Sequence, residues 1–513
     1  MEEEKISSTM KIFSAEQIKA WDIYTIEHEP IASIDLMERA AQAFVKQLLQ
    51  SYPQDRFLIF CGSGNNGGDG LAIARLLHQQ GFHVEVWLIQ DKALSADTQT
   101  NYERLIQTGV QVKVIIPNHP IAESEWLSMN TQEIVLIDAL LGTGLNRKTE
   151  GLYAEFIHRI NAMQKKVVAV DIPSGLFADR LTQEGQTIIR ASETITFQCP
   201  KHSFFYASNY PNLGNWSVVT IDLSSAYEDQ TSSDIHFTQW NEIKNIYKPR
   251  FPFAHKGNYG KALLIAGSYG MMGAAVMAAK ACLRSGVGLL KIYTPSSGMS
   301  ILQTTVPEAM VLTDVSEKQF STAPDTSFYQ AIGLGPGWHE DDQALKFLKD
   351  IFNTTNVPLV IDAGALNVLS EDLSLLKHIP KGSILTPHKK EFDRLVGREL
   401  AQEEQELQAK RWAKQYDIQF ILKGKYTAVV LSDGTMHYNS TGNAGMAKGG
   451  SGDCLTGILL ALLAQGYSSQ QAAILGTFLH GYAGDQAAVL HSEEAMLPSD
   501  LIDSIGDFFK KVK

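Results

Sequence analysis

Cysteine is scarce in this 513-residue chain. There are four, Cys61, Cys199, Cys282 and Cys454, scattered and without a CxxC pair. That usage argues against a disulfide framework and a structural zinc site, and it fits a reducing, cytoplasmic compartment. A basic excess is missing too: 44 Lys and Arg stand against 56 Asp and Glu, for a net charge of −12. A nucleic-acid coat or an anionic-membrane binder needs the opposite balance, so neither partner is expected. Small anionic substrates remain open, because backbone amides can hold phosphate inside an acidic protein. Uninterrupted apolar runs of membrane-spanning length are also absent. Residues 262–279 are broken by glycines at 267, 270 and 273, and the uncharged stretch 454–484 is split by QGYSSQQ. The opening MEEEKISSTMKI is acidic and has no apolar core, so a signal peptide is not expected. No G-x-x-x-x-G-K-[ST] occurs, which excludes a Walker A loop.

What is present is an ordinary globular composition, 44% hydrophobic and 19% charged. At about 100–200 residues per domain, two to four domains are expected. The polar, serine-rich segment 224–236, SSAYEDQTSSDIH, reads as a linker between domains at 1–225 and 235–513. Before it, short β-branched runs at 57–61, 83–89, 110–116, 133–138, 167–171 and 193–198 alternate with helical stretches. After it, similar runs fall at 262–267, 288–295, 331–335, 358–364, 383–388 and 418–424, with a hairpin over 427–439 turning at SerAspGly. Such alternation predicts parallel strands with crossover helices, hence α/β architecture: two three-layer α/β/α domains.

In the first domain, strand FLIFC runs into GSGNNGGDG (62–70) and then a helix. Gly62, Gly64 and Gly67 match G-x-G-x-x-G, a weak pattern alone, strengthened by its place between strand and helix. A ligand-free tight turn is the plainer alternative, but it does not call for Asn65, Asn66 and Asp69. Asp91, the only nearby acid suited to a ribose, reads more simply as a loop residue. Two further strand ends carry polar groups, Asp138 before GTG (142–144) and Asp171 before Pro173, Ser174 and Gly175. Ligands of parallel α/β sheets sit beyond the carboxyl ends of the strands, so these groups should converge. Asn66, Asp138 and Ser174 offer hard oxygen ligands for a cation, and Asp171 an acid–base. Taken singly, each aspartate reads as a helix or turn cap; the set of three polar strand ends favours the ligand site instead.

In the second domain, STGNAGMAKGGSGDCLTGILLALL (440–463) puts a glycine-rich loop directly before an apolar helix. The amides of 450–453 would form an anion hole, with Asp453 in the first helical turn as a general base for a substrate hydroxyl. Further candidates are the glycine-rich turn at 267–273, GLGPGW (333–338), Asp362, Asn367, His388, Lys423 and Lys425.

Taken in order, these motifs resemble the bifunctional NAD(P)H-hydrate repair family over nearly the whole chain. NNGGDG, DALLGTG and DIPSG resemble its NAD(P)HX epimerase domain, which is Rossmann-like. HKGNYG, GSYGMMGAA, GLGPG, LTPHKKEF and NAGMAKGGSGD resemble its ribokinase-like dehydratase domain. The resemblance implies that Asn66, Asp138 and Ser174 bind a potassium ion. It implies that Asn65, Asn66, Gly67, Gly68 and Asp69, with Gly142, Thr143, Gly144, Leu145, Asn146, Arg147, Lys148 and Asp171, hold the hydrated nucleotide while Asp171 transfers the proton. Ala274, Gly335, Gly337, His388 and Asp453 would contact the S substrate. Lys423, Gly424, Lys425, Tyr426, Thr427 and Gly452 would contact ADP or ATP, brought with magnesium. A homo-oligomer is also implied. Lys448 departs from the family's small or hydroxyl residue; it is expected either to help hold phosphate or to point to solvent. Two other readings compete: a ribokinase-like small-molecule kinase fused to a dinucleotide-binding domain, and an interaction scaffold, since epimerase-like domains also resemble a domain of mRNA-decapping scaffolds.

Overall fold

The structure, a computed structural model, describes residues 9–513 except 54, 118–120 and 131–132. The opening residues on which the signal-peptide reading rests lie largely outside the described residues. The described chain divides into two units: Lys11–Ser233, and Asp234–Lys513 together with Thr9 and Met10.

The first unit is built on a parallel sheet of seven strands. Their order is Val112–Ile115, Val84–Ile89, Phe57–Cys61, Val135–Ala139, Val167–Val170, Glu193–Phe197 and Asn215–Val219. The sequence winds outward from Phe57–Cys61, then returns to the other side at Val135–Ala139, leaving a switch point between those two strands. Alternation along each strand feeds two cores. Phe57, Ile59, Cys61, Val135 and Ile137 pack on one face with Phe44 and Leu77. Leu58, Phe60, Leu136, Val167 and Ala169 pack on the other with Trp126 and Phe156. Both faces are covered, so the strands read as continuous apolar runs.

The second unit repeats the principle. From Ile235–Thr238 the order runs through Met436–Asn439, Ala428–Val430, Gln419–Leu422, Ile384–Leu385, Leu359–Ile361, Ala331–Leu334, Lys261–Ile265, Leu289–Thr294 and Met310–Thr313. The pairs flanking Ala428–Val430 are antiparallel, as the hairpin predicted, and the other pairs along this run are parallel. Here the switch point lies between Lys261–Ile265 and Ala331–Leu334. Helix Met272–Arg284 packs against Ser451–Ala464, where a Cβ on Gly457 would stand 2.1 Å from the Ala278 carbonyl oxygen. The uncharged stretch 454–484 is thus buried helix, and no helix among the described residues is long and apolar enough to cross a membrane.

The division between the units falls inside the expected linker 224–236, but that segment is structured: it contains helix Ser225–Gln230, whose Tyr227 stacks on Trp21 at 5.9 Å. Two local expectations need correction. Residues 383–388 yield a strand of two residues, because Pro387 and the cap at His388 end it. The exposed strand Met310–Thr313 was missed, because its apolar run at 309–312 is only four residues long and lies between Glu308 and Asp314.

Candidate active sites

At the first switch point, the loop after Phe57–Cys61 enters helix Asn65–Gln79 with Gly64 as its cap. Two of its glycines are explained by packing. A Cβ on Gly62 would lie 2.0 Å from the Leu140 carbonyl oxygen, and one on Gly67 would lie 1.8 Å from that of Gly62. Gly64 and Gly144 meet nothing within 4 Å, so no steric demand explains them; they face open space. That space is a cleft of about 510 Å³. Of the expected residues, Asn65, Asn66, Asp69, Gly142, Thr143, Gly144, Leu145 and Asp171 line it. Gly67 and Gly68 are buried beneath it. Asn146, Arg147 and Lys148 are not among its lining; Lys148 bonds the Glu184 carbonyl at 2.6 Å.

Asp171 anchors the cleft. Its φ of +65° is costly for a non-glycine residue, of order 1–3 kcal/mol, and persists only where the surroundings fix it. They do so here: Asp171 Oδ1 accepts from Lys201 Nζ at 2.6 Å, Phe197 N at 2.9 Å and Thr196 Oγ1 at 3.0 Å. Lys201 is 1% exposed, so the pair is nearly out of water. The sequence reading missed Lys201, which follows a strand end within FQCPKH, and Asp22, which also lines the cleft. Burial, with Asp171 nearby, pushes the Asp22 carboxyl up to about 7, partly offset by Lys201. Burial beside Asp171 and Asp22 raises Asp69 well above the usual range. One carboxylate is thus held by a lysine while two neighbours favour the protonated form.

Beside the cleft, Asp138 is fully buried. It accepts from Ser174 N at 2.7 Å, Ser174 Oγ at 2.6 Å and Leu140 N at 3.2 Å. Burial raises it to about 6 against these bonds. Asn66 Nδ2 donates to the Leu141 carbonyl at 3.2 Å, so Asn66, Asp138 and Ser174 do meet. Asp91 accepts from Ser63 Oγ at 2.6 Å and from Tyr153 at 2.9 Å, fixing the loop after its strand.

The second site forms at the start of helix Ser451–Ala464, capped by Gly450 at φ +102°. Among the described residues the amides of Gly449, Gly450, Gly452 and Asp453 donate no hydrogen bond, whereas Ser451 N is tied to Lys448 O. The expected anion hole is therefore shifted by that one amide. Asp362 Oδ1 accepts from Lys423 Nζ at 2.6 Å, and Oδ2 from Thr456 Oγ1 at 2.8 Å. Burial and the Asp362 charge push Asp453 up to about 7, against the pull of Lys423. Residue Ala363, next to Asp362, has φ +46°. A Cβ on Gly335 would lie 1.8 Å from the Asp362 carbonyl oxygen, and one on Gly337 would lie 3.3 Å from Ala274 Cβ. These candidates therefore share one strand-end cluster.

His388 belongs to the same edge, bridging to Lys423 through the backbone. Its Nδ1 accepts from Glu391 N at 3.2 Å, so it caps helix Lys389–Val396. Thr427 Oγ1 closes on the Gly424 carbonyl at 3.0 Å, Lys425 reaches the Gly442 carbonyl at 2.9 Å, and Tyr426 lies beside Lys425. Lys448 neither faces the phosphate hole nor hangs in solvent: it donates to the carbonyls of Glu494 and Met496, both at 2.6 Å. His480, unnoticed in the sequence, meets the Ser451 carbonyl at 2.9 Å, and burial lowers it to about 4.

Comparison with known proteins agrees with both halves. A family described as NAD(P)H-hydrate dehydratase matches residues 262–506, and one described as YjeF-related protein N-terminus matches residues 33–203. The bifunctional NAD(P)H-hydrate repair enzyme of Moorella thermoacetica is 32% identical over 96% of this chain and 96% of its own. That of Escherichia coli is 32% identical over 98% of this chain and 95% of its own. Among solved structures, the ADP/ATP-dependent NAD(P)H-hydrate dehydratase of Bacillus subtilis, crystallised with ATP and Mg2+, is 30% identical. It covers 54% of this chain and 98% of that one, with a TM-score of 0.47. The chain belongs to the bifunctional NAD(P)H-hydrate repair enzymes.

Proposed function

We propose that the two activities of this family are divided between the two units. The first interconverts the R and S forms of the hydrated nicotinamide nucleotide, with Asp171 transferring the proton. The second returns the S form to NADH or NADPH at the expense of ADP or ATP, with Asp453 as general base. The observation that carries this is the repeated arrangement: at each switch point a carboxylate–lysine pair stands beside a carboxyl raised to about 7.

In the second unit hydroxide is a poor leaving group and phosphate a better one. Asp453 takes the hydroxyl proton as the oxygen attacks the terminal phosphoryl group of the donor, which departs as the shortened nucleotide. The free amides of Gly449, Gly450, Gly452 and Asp453 stabilise the transferring charge. Loss of a proton from the neighbouring ring carbon and of phosphate restores the double bond. Lys423 and the loop to Thr427 support the donor phosphates, with magnesium as their counter-ion. In this reading His388 sets the loop by capping, Gly335 and Gly337 let their loop pack against the Asp362 and Met271 carbonyls, and Ala274 beside them contacts the substrate.

A potassium ion fits the first unit. Asp138 supplies one negative charge, and Ser174, Asn66 and the Leu141 carbonyl supply neutral oxygens, a hard set of low total charge. Bound there, it would neutralise part of the substrate's charge. A cytoplasmic location agrees with four free, buried cysteines. A homo-oligomer is the assembly implied by the resemblance, and sedimentation checks it. The functional test is chromatography of separated R and S substrate incubated with either donor. S should be consumed directly and R only through S. A stable phosphoester product in place of NADH would reject the dehydratase reading.

A further inference from the structure

Among the cleft carboxyls, Asp22 is set apart by its freedom. Asp171 Oδ1 is committed to three donors, whereas the Asp22 carboxyl accepts no hydrogen bond among the described residues. Its helix, Ala15–His28, is a fixed wall. Ser14 caps it through a reciprocal pair with Gln17, and Asp179 accepts from Ala15 N at 2.9 Å. Next to Asp22, Trp21 is buried, donates to the Ser224 carbonyl at 2.8 Å and packs against Phe13 and Tyr227. A free carboxyl on a rigid wall, lining the cleft with Asp171 and Lys201, is placed to exchange protons with whatever fills it.

We propose that Asp22 is a second catalytic residue of the epimerisation, working with Asp171 as a proton-transfer couple. The inference rests on the reading of the first unit as the epimerase. Inversion at the hydroxyl-bearing carbon, which is bonded to the ring nitrogen, proceeds by opening and reclosing the ring. Asp171, paired with Lys201, removes the hydroxyl proton, and the O–H electron pair forms the C=O bond. The carbon–nitrogen bond breaks with its pair going to nitrogen, which takes a proton from neutral Asp22. Rotation about the adjoining carbon–carbon bond presents the other carbonyl face. Asp22 then takes back the N–H proton, nitrogen attacks, and the alkoxide regains its proton from Asp171. No oxidant or reductant enters, and both carboxyls end as they began.

Other groups share the cleft. Besides Asp22, the titratable groups lining the cleft are Asp69, Asp171 and Tyr153, with the cations Lys19, Lys92 and Lys201. Asp22 lies within electrostatic reach of both members of the Asp171–Lys201 pair. An acid raised toward neutrality should lose its catalytic proton as pH climbs.

The test uses the full-length protein with purified R substrate. Conversion to S is followed by chromatography between pH 5.5 and 9, for the parent, Asp22→Asn and Asp22→Glu. Asp22→Asn should lower kcat by roughly 10²-fold or more, with KM changed less, and should abolish the alkaline fall of the rate. Asp22→Glu should recover part of the rate and restore that fall. An Asp22→Asn rate within threefold of the parent, or an unchanged alkaline limb, overturns the proposal. Loss of rate in both variants with the parent's pH profile retained also overturns it, leaving Asp22 a structural role. Dehydration of purified S substrate by the same preparations should stay at parent level, showing that the second unit is intact. A parent protein that fails to interconvert R and S overturns the epimerase reading itself, and the proposal falls with it.

Discussion

The two sites occupy equivalent places in two sheets yet solve different problems. Each lies at a switch point beyond strand carboxyl ends, beside a non-glycine residue forced to positive φ: Asp171 in the first unit and Ala363 in the second. In the first, the positive charge is Lys201, 1% exposed and locked to Asp171, and the groups around it are carboxyls. In the second, Lys423 is 23% exposed beside Asp362, and unpaired backbone amides join Asp453 around it. Carboxyl-rich surroundings suit moving protons without accumulating charge. Amide-rich surroundings suit charge developing on a phosphoryl group. The topology sets the place of each site, and the local supply of acids or amides sets its chemistry.

That contrast can be broken experimentally. The largest effect is expected for Asp453→Asn, which should lower dehydration of the S substrate by about 10²–10⁴-fold. Interconversion of R and S by the same preparation should be unaffected. Next, Lys201→Met leaves Asp171 buried without its partner and should cost about 3–5 kcal/mol in urea unfolding of the first unit. Lys423→Met likewise strands Asp362, whose side chain is 2% exposed and keeps only the Thr456 hydroxyl as a donor, and should cost a similar amount in the second unit. A loss below about 1 kcal/mol for either variant would contradict the burial of these pairs.

A pH effect follows in size. Asp453 titrates near 7 when folded against an ordinary value of 3.8. The folded chain therefore keeps a proton that the unfolded chain has lost. This contribution to stability is fully present below about pH 4 and is lost as pH rises toward 7. Asp453→Asn removes that loss, so its unfolding midpoint should gain on the parent's between pH 4 and 7 and hold steady above. A midpoint difference independent of pH would contradict the raised carboxyl. The smallest effect is expected at Lys448. Lys448→Ala removes two bonds to carbonyls and should cost on the order of 1 kcal/mol, with KM for ADP or ATP unchanged within twofold. A large rise in that KM would return Lys448 to the phosphate hole.

The central strands of both sheets were legible because each is a short apolar run buried on both faces, whereas the more exposed Met310–Thr313 and Ile235–Thr238 were not. The glycine loops were legible because their polar residues exceed what a turn requires. Asp453 and Asp171 stood out by position, one in the first turn after GGSG and one before PSG. Lys201 and Asp22 were not legible. Each is a lone charged residue in an ordinary segment, brought to the cleft by pairing of Glu193–Phe197 and packing of helix Ala15–His28. Gly62 and Gly67 looked like phosphate contacts, but backbone approach already requires them. Lys448 pointed either to phosphate or to solvent, whereas its partners lie 46 and 48 residues later.

The central claim is that two separable active sites act in sequence on one substrate. The most direct test records nicotinamide absorbance while a mixture of R and S substrate is incubated with donor. The parent should convert the whole mixture to NADH faster than spontaneous epimerisation allows. Asp171→Asn should convert the S fraction rapidly and then stop at the spontaneous rate, and Asp453→Asn should give almost no NADH. Mixing the two variants should restore full conversion. If the mixture of variants stayed as incomplete as Asp171→Asn alone, the two sites would not be independent and the account would be wrong.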